Sequence, residues 1–156
     1  MKVKLGSALV GIVAGALLVT TLSGGVSNAA TGPATIRVTN QEVRVVRVDV
    51  GTRGTSPGDM EVIRQSLYNR RVTPRPIGHV ELICTWVDSR RSRSCRGTYF
   101  LPRGRIVVGG SLRFRQFYEL AVLGGTGLYD NARGTLTVTR THRKPVRDLV
   151  IVKLVG

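Results

Sequence analysis

The sequence is poor in the residue types on which most metal and nucleophilic chemistry depends. Its 156 residues include only two cysteines, two histidines and 9 acidic residues, against 24 basic ones. With so few nitrogen and sulfur ligands, we expect no metal site. Aromatic residues make up 5% of the chain and are not interleaved with its arginine clusters. The stacking pattern of a protein that binds single-stranded nucleic acid is therefore missing.

The chain also lacks internal repeats, low-complexity tracts and long linkers, so we predict one domain. A phosphate-binding loop is excluded, although the glycines Gly124, Gly125 and Gly127 lie close together. No Lys-Ser/Thr pair follows these glycines, and the element that comes after them has the pattern of a strand rather than a helix.

The N-terminal segment is typical of a secretory signal peptide. A short basic start, Met1-Lys2-Val3-Lys4, precedes a nearly apolar run, and Ser27-Asn28-Ala29 offers the small residues that a signal peptidase recognises. We expect cleavage after Ala29, with Ala30 as the second choice. This divides the chain into a signal peptide, residues 1–29, and a secreted domain, residues 30–156. An uncleaved membrane anchor is the alternative, but the apolar run is short and rich in glycine.

Positive charge is what the chain has in excess, with a formal net charge of +15 that comes mostly from arginine. Its clusters are Arg70-Arg71, Arg90-Arg91-Ser92-Arg93, and Arg113 with Arg115, the last two being expected on one outward face of a strand. The simplest interpretation is a solvated surface. The alternative is a non-catalytic envelope protein that binds anionic polymers or membrane surfaces through charge. We expect no specific nucleic-acid partner.

Eight segments have the composition or alternation of strands, clearest in Thr135, Thr137 and Thr139 against Leu136 and Val138. The predicted strands are residues 35–50 (bent, or two strands), 59–68, 77–87, 95–101, 105–108, 112–123, 130–141 and 146–155. Helical spacing is a rival in the second segment. Eight short strands with short connections predict an all-β sandwich or a closed antiparallel barrel. The interior of such a barrel is just wide enough for one small ligand, or for side chains alone.

The two cysteines are expected to form a disulfide. If residues 89–92 form the tip of a hairpin, Cys84 and Cys95 lie directly opposite each other on neighbouring strands. Facing cysteines at a non-hydrogen-bonded pair come within bonding distance. Export would supply the oxidising compartment that the bond needs. A catalytic thiol is the alternative.

The glycine-rich stretch also resembles a family signature. Residues 124–134 read Gly-Gly-Thr-Gly-Leu-Tyr-Asp-Asn-Ala-Arg-Gly, which is similar to the GGTGxFxxARG signature of dirigent and allene oxide cyclase barrel proteins. Shorter pieces similar to the bacterial members occur in the same order: Pro57-Gly58-Asp59, Gly78, Cys84 with Cys95, Gly97-Thr98-Tyr99-Phe100 and Gly104-Arg105-Ile106. The resemblance spans about residues 35–155.

This resemblance implies an eight-stranded antiparallel, calycin-like barrel with an axial cavity that holds an apolar small molecule. Plant cyclases of the family close an epoxide into a cyclopentenone, and dirigent proteins steer radical coupling or cyclisation without a cofactor. Plant relatives are often trimers. The resemblance therefore implies a cofactor-free isomerase, cyclase or stereo-guiding protein, with a homo-oligomer as its assembly. The matched positions build a turn, so they transfer the fold rather than an activity.

A cavity of this kind needs a few polar groups in an apolar lining. Glu81, Tyr99 and Tyr118 are candidate catalytic residues, because a buried carboxyl group would act as an acid and phenol hydroxyls would orient a ligand. The alternatives are a Glu81 that faces solvent beside His79, and tyrosines that only fill the core or an interface.

Three further residues are candidate ligand contacts: Tyr68, Trp86 and Arg133. The first two lie on predicted strands, among the polar and aromatic residues that a cavity lining would need. Arg133 flanks the glycine turn, where it would contact a ligand at the barrel end or, alternatively, stabilise the turn by hydrogen bonding.

Overall fold

Eight strands pair in sequence order and close on themselves in the computed structural model, which describes residues 34–89 and 92–155. They are β1 (Ala34–Val48), β2 (Met60–Tyr68), β3 (Gly78–Trp86), β4 (Arg93–Leu101), β5 (Gly104–Leu112), β6 (Phe117–Gly127), β7 (Arg133–Arg143) and β8 (Val146–Val155). All pairs are antiparallel, and β8 pairs with β1. The predicted closed barrel is confirmed. The predicted signal peptide lies outside the described residues, and those residues contain no helix that is long and apolar enough to cross a membrane.

The strand boundaries resolve two alternatives and correct one prediction. β1 is a single strand, and its register with β2 shifts between Glu42 and Arg44, as at a β-bulge. β2 is a strand rather than a helix. The strand predicted over residues 112–123 begins later, at Phe117, and Arg113 and Arg115 lie in the β5–β6 loop. The prediction that these two arginines share an outward strand face is therefore wrong.

The glycine motif closes one end of the barrel. β6 continues through its glycines, and the chain turns over residues 128–132. A Cβ on Gly125 would lie 2.2 Å from the backbone oxygen of Tyr129, and Gly127 has φ +64°. Both positions require glycine, because the strand and the turn approach each other too closely for a side chain. The motif therefore builds the turn between β6 and β7, as the resemblance implied.

The predicted disulfide is formed. Cys84 on β3 pairs with Cys95 on β4, with a Cα–Cα distance of 4.0 Å and an S–S distance of 1.99 Å. Both side chains are buried on the inner face of the barrel. The bond links β3 to β4 on the inside of the barrel.

The inner face has two different halves. Toward the end that carries the glycine motif, the inward side chains are apolar and buried: Val38, Leu67, Val80, Ile106, Val108, Leu120, Val122, Leu136, Val138, Val150, Val152 and Leu154. We call this the closed half. Toward the other end, where β2, β4, β6 and β8 begin, buried charged and polar residues replace them: Glu61, Gln65, Arg93 and Asp148. We call this the open half.

Candidate functional site

The open half contains a cavity of about 490 Å³. Its lining comes from all eight strands and the β5–β6 loop: Glu42, Val45, Arg47, Glu61, Ile63, Gln65, Leu82, Cys84, Leu112, Arg93, Arg115, Tyr118, Arg140, Val146 and Asp148. Such a volume suits one small organic molecule. The lining is unusual in having more charged and polar members than apolar ones.

Glu61 is the centre of one ion cluster in this lining. Its Oε2 accepts a hydrogen bond from Arg93 Nη1 at 2.5 Å, and its Oε1 accepts from Arg115 Nη2 at 2.7 Å and from Arg47 Nε at 3.0 Å. The side chains of Glu61 and Arg93 are 3% and 6% exposed. Burial lowers the pKa of Arg93, and the charge of Glu61 opposes that shift. Each buried charge is tolerated because it has an opposite partner within hydrogen-bonding distance.

Asp148 is the centre of a second cluster, deeper in the barrel. Its Oδ1 accepts a hydrogen bond from Arg140 Nε at 2.8 Å, and its Oδ2 accepts from Gln65 Nε2 at 3.4 Å. Asn40 Nδ2 donates to Gln65 Oε1 at 2.8 Å and to the Tyr99 hydroxyl at 3.4 Å. This chain of polar groups forms the boundary between the open and closed halves. Asn40 Oδ1 is buried and has no partner among the described residues.

Tyr118 lies between the two clusters. Burial raises the pKa of its phenol, the charge of Asp148 raises it further, and the charges of Arg140 and Arg93 oppose these effects. The phenol is therefore protonated at neutral pH, and it meets a ligand as a hydrogen-bond donor. Burial likewise raises the pKa of Tyr99.

Trp86 stands at the rim of the cavity. The guanidinium carbons of Arg93 and Arg115 lie 5.3 and 5.8 Å from its ring centroid, within the range of cation–π attraction. An adjoining surface cleft shares Trp86, Arg93 and Arg115 with the rim, and exposed Phe114 and Phe117 extend it along the β5–β6 loop.

The structure brings three of the six sequence candidates to the open half and leaves the other three elsewhere. Tyr118 lines the cavity, Trp86 stands at its rim, and Tyr99 supports its floor. Tyr68 is buried at the last position of β2, at the end of the barrel that carries the glycine motif, and is not among the lining residues. Glu81 faces outward with its side chain 56% exposed, 3.6 Å from His79 Nε2. The hypothesis of a buried acid at Glu81 is therefore corrected in favour of its solvent-facing alternative, because its neighbours in β3 alternate inward.

Arg133 also lies away from the cavity. It begins β7 at the closed end and is exposed, and its Nη1 donates to the backbone oxygens of Leu123 at 2.8 Å and Ala132 at 3.0 Å. This is the turn-stabilising alternative, and it replaces the ligand contact that the sequence suggested.

The expectation of an apolar interior is correct for the closed half and has to be revised for the open half. Sequence reasoning missed Asp148 and Arg140, and it took Arg115 to be outward. The signal for Asp148 was available, since the residue shares one face of β8 with Val150 and Val152. A single carboxylate on an otherwise apolar strand face indicates a buried, paired charge. Over the described ranges, no group of three or more metal-ligating side chains is placed to hold an ion.

The fold is a closed β-barrel, and its cavity has the size of a small organic molecule. Neither protein-family models nor curated protein sequences match the chain. Solved structures do. A pyocyanin demethylase shares 24% identity at TM-score 0.67, covering 78% of this chain and 99% of that one. The pterocarpan synthase dirigent protein PsPTS1 shares 13% identity at TM-score 0.62, covering 81% and 97%.

A third similar structure is the Diels–Alderase AbmU from Streptomyces koyangensis, with 13% identity at TM-score 0.58, covering 82% of this chain and 72% of that one. At these identities the likeness is one of fold. The chain therefore has the barrel fold of dirigent proteins and of Diels–Alderase and cyclase barrels, which confirms the resemblance predicted from the glycine motif at the level of fold.

Proposed function

We propose that the protein binds a small organic molecule in the open cavity and promotes its isomerisation or ring closure with its own side chains. The observation that carries this proposal is the cavity of about 490 Å³, into which Tyr118 and Asp148 both project. The similar structures support it, because they include a demethylase of pyocyanin, a Diels–Alderase and pterocarpan synthases built on the same barrel.

The two residues have complementary chemistry. Asp148 Oδ1 accepts from Arg140, whereas Oδ2 accepts, among the described residues, only the long bond from Gln65. In the proposed reaction, Oδ2 takes a proton from the substrate and returns it at another atom of the same molecule. Tyr118 donates a hydrogen bond to the substrate oxygen on which negative charge develops. Protons and electrons balance within the substrate, so the step needs no cofactor.

The apolar part of the lining sets the shape of the ligand. Val45, Ile63, Leu82 and Leu112 offer an apolar surface beside the two ion clusters. We therefore propose a molecule with an apolar body and a polar group, rather than the wholly apolar guest expected from sequence. A body of this kind removes apolar surface from water while its polar group satisfies the charged lining.

We also propose export and self-association. The signal-like residues 1–29 and the Cys84–Cys95 bond support export, since structural disulfides persist in oxidising compartments. Self-association is supported by a cleft of about 890 Å³ on the outer surface of β1–β5. We call it the outer cleft, and its lining includes the apolar side chains of Val46, Val62 and Ile83. Analytical ultracentrifugation of the exported protein tests both proposals at once, through the mass of the processed chain and of its assembly.

Native mass spectrometry of the protein purified from culture medium tests ligand binding. We expect a bound small organic molecule on the wild type, and its loss in Val45→Phe, which fills the cavity. Val46→Phe is the matched control, because the neighbouring side chain faces the outer cleft. Equal occupancy of both variants would contradict a site inside the barrel.

Catalysis is tested on the molecule so identified. We expect Asp148→Asn and Tyr118→Phe to retain binding within a few-fold and to lower the rate of conversion about a hundred-fold each. Conversion at the wild-type rate by both variants would leave a binding protein without the proposed chemistry.

The envelope-protein alternative has an observation of its own in its favour. Arg44, Arg64 and Arg96 all line the outer cleft, where only Glu81 offsets their charge among the cleft's lining residues. Retention on an anionic polymer that falls with salt, and that is lost when the three arginines become glutamine, would support it. Retention unchanged by these substitutions would contradict the envelope-protein alternative. Val45→Phe, which leaves the three outer arginines in place, is the control.

A further inference from the structure

The ion cluster at the cavity mouth carries a net positive charge. Three guanidinium groups surround the single carboxylate of Glu61, which leaves two positive charges uncompensated within the cluster. The other acids near the mouth form no ion pair with these arginines among the described residues. Asp49 accepts a hydrogen bond from the backbone N–H of Gly54 at 3.3 Å. Asp148 pairs with Arg140, and Glu42 lines the cavity without an ion pair among the described residues. Asp59, near the rim, accepts backbone hydrogen bonds from Val50 and Ser56, both at 2.8 Å, which lower its pKa.

The three arginines differ in exposure, and this difference divides their roles. Arg93 is buried and holds Glu61, whereas the side chains of Arg47 and Arg115 are 67% and 47% exposed and share one oxygen, Oε1. A guanidinium group has five N–H donors, and each of the exposed two uses one on Glu61 among the described residues. Both therefore have donors left for a molecule that enters the mouth.

We infer that the ligand of the open cavity carries a carboxylate, which Arg47 and Arg115 bind at the mouth. This inference rests on the proposed function, because it assigns a ligand class to the same cavity. Planar guanidinium groups match the two oxygens of a carboxylate, and the bonds to Glu61 show that the groups here reach such an acceptor. The apolar body then extends inward along Ile63 and Leu112 toward Tyr118.

Trp86 provides a direct reporter of this event. It is the single tryptophan of the chain, and the guanidinium of Arg115 lies 5.8 Å from its ring centroid. An anion that draws Arg115 toward itself changes the electrostatic environment of the indole. The intrinsic fluorescence of the protein therefore responds to occupation of the mouth without any added label.

The test uses the protein purified from culture medium and matched acid–amide pairs of increasing body size: butyrate, 4-phenylbutyrate and decanoate, each against its primary amide. Fluorescence titration of Trp86 gives the affinities, with isothermal calorimetry as the second readout. We expect 4-phenylbutyrate to bind about ten-fold more tightly than its amide, the value of one charge-assisted hydrogen bond. Arg115→Gln is expected to lower acid affinity about ten-fold and to leave amide affinity within two-fold.

Two controls separate a site from general charge. Arg113→Gln removes the same charge two residues away, from an arginine that does not contact Glu61, and is expected to change the affinity of the acid less than two-fold. Inorganic phosphate at equal ionic strength tests whether an anion without an apolar body binds equally well. If phosphate binds as tightly as 4-phenylbutyrate, the inference that the ligand carries a carboxylate on an apolar body is overturned.

The outcomes also separate this inference from the proposed function. If no acid binds more tightly than its amide, the inference is overturned. The proposed function then stands provided that the amides bind to the wild type and not to Val45→Phe. If no member of the series binds and native mass spectrometry finds no ligand, both are overturned. Arg47→Gln, which leaves the buried Glu61–Arg93 pair intact, repeats the test should Arg115→Gln fail to fold.

Discussion

The two halves of this barrel use the same strands for different purposes. β2 places Leu67 in the closed half and Glu61 in the open half, and β8 places Val152 in the closed half and Asp148 in the open half. Apolar burial stabilises the closed half by about 25 cal/mol for each Å² removed from water. Buried ion pairs regain little beyond the cost of their desolvation. The closed half therefore holds the fold together, while the open half is organised around a cavity.

The largest expected effect comes from unpairing the buried charge. Glu61→Gln leaves Arg93 buried with no counter-charge, and we expect a loss of about 4 kcal/mol in the free energy of unfolding, measured in urea. The double substitution Glu61→Leu with Arg93→Leu removes both charges and is expected to restore most of that loss. Glu81→Gln, on the exposed outer face, is the control and should cost less than about 0.5 kcal/mol. A stable Glu61→Gln would show that the open half is not held by this pair.

Cavity formation in the closed half should be somewhat less costly. Leu136 is fully buried there, and Leu136→Ala is expected to lower the free energy of unfolding by about 3 kcal/mol. Because the site is remote from the open cavity, ligand affinity should stay within two-fold, whereas Arg115→Gln should change affinity and leave stability nearly unchanged. If Leu136→Ala weakens binding as much as Arg115→Gln does, the two halves are not separable.

Loss of the disulfide is expected to cost slightly less than either of these substitutions. Replacing Cys84 and Cys95 together with serine is expected to lower the free energy of unfolding by about 2.5 kcal/mol, chiefly because the short loop is no longer closed in the unfolded chain. Thiol titration of the denatured wild-type protein should find no free thiol. Two reactive thiols would contradict the bond.

The smallest effects concern pH. Burial raises the folded-state pKa of Tyr99 and Tyr118 above the ordinary value of 10, so the folded protein holds these protons more tightly than the unfolded chain. Their contribution to stability is fully present below pH 10 and is lost as the pH rises further. Absorbance titration at 295 nm should show at least two tyrosines that ionise only well above pH 10 or on unfolding. Tyr118→Phe should remove one of them, and titration of every tyrosine near pH 10 would contradict their burial.

The sequence was sufficient for the barrel and insufficient for the site. Alternation in β8 and the equal distance of Cys84 and Cys95 from a hairpin tip are local signals, so the strands and the disulfide could be predicted. Alternation also shows which residues share a face, but it does not show which face is inside. Glu81 therefore remained a candidate for the inside although it faces solvent, and Asp148, which is inside, was missed.

Loops carry no such period, and this accounts for the error at Arg115. Its residue type and neighbours indicate a solvated arginine, and only the closure of the barrel brings it within 2.7 Å of Glu61, a contact 54 residues apart in sequence. The charged character of the open half depends on several long-range contacts of this kind. No single segment encodes it.

Mapping of bound 4-phenylbutyrate by amide chemical shifts in ¹⁵N-labelled protein tests the central claim most directly. We expect the largest shift changes at Glu61, Trp86, Arg93, Tyr118 and Asp148, and no shift changes in the closed half. Shifts confined to the outer cleft around Val62 and Ile83, or spread evenly over the surface arginines, would contradict a ligand site within the open half of the barrel.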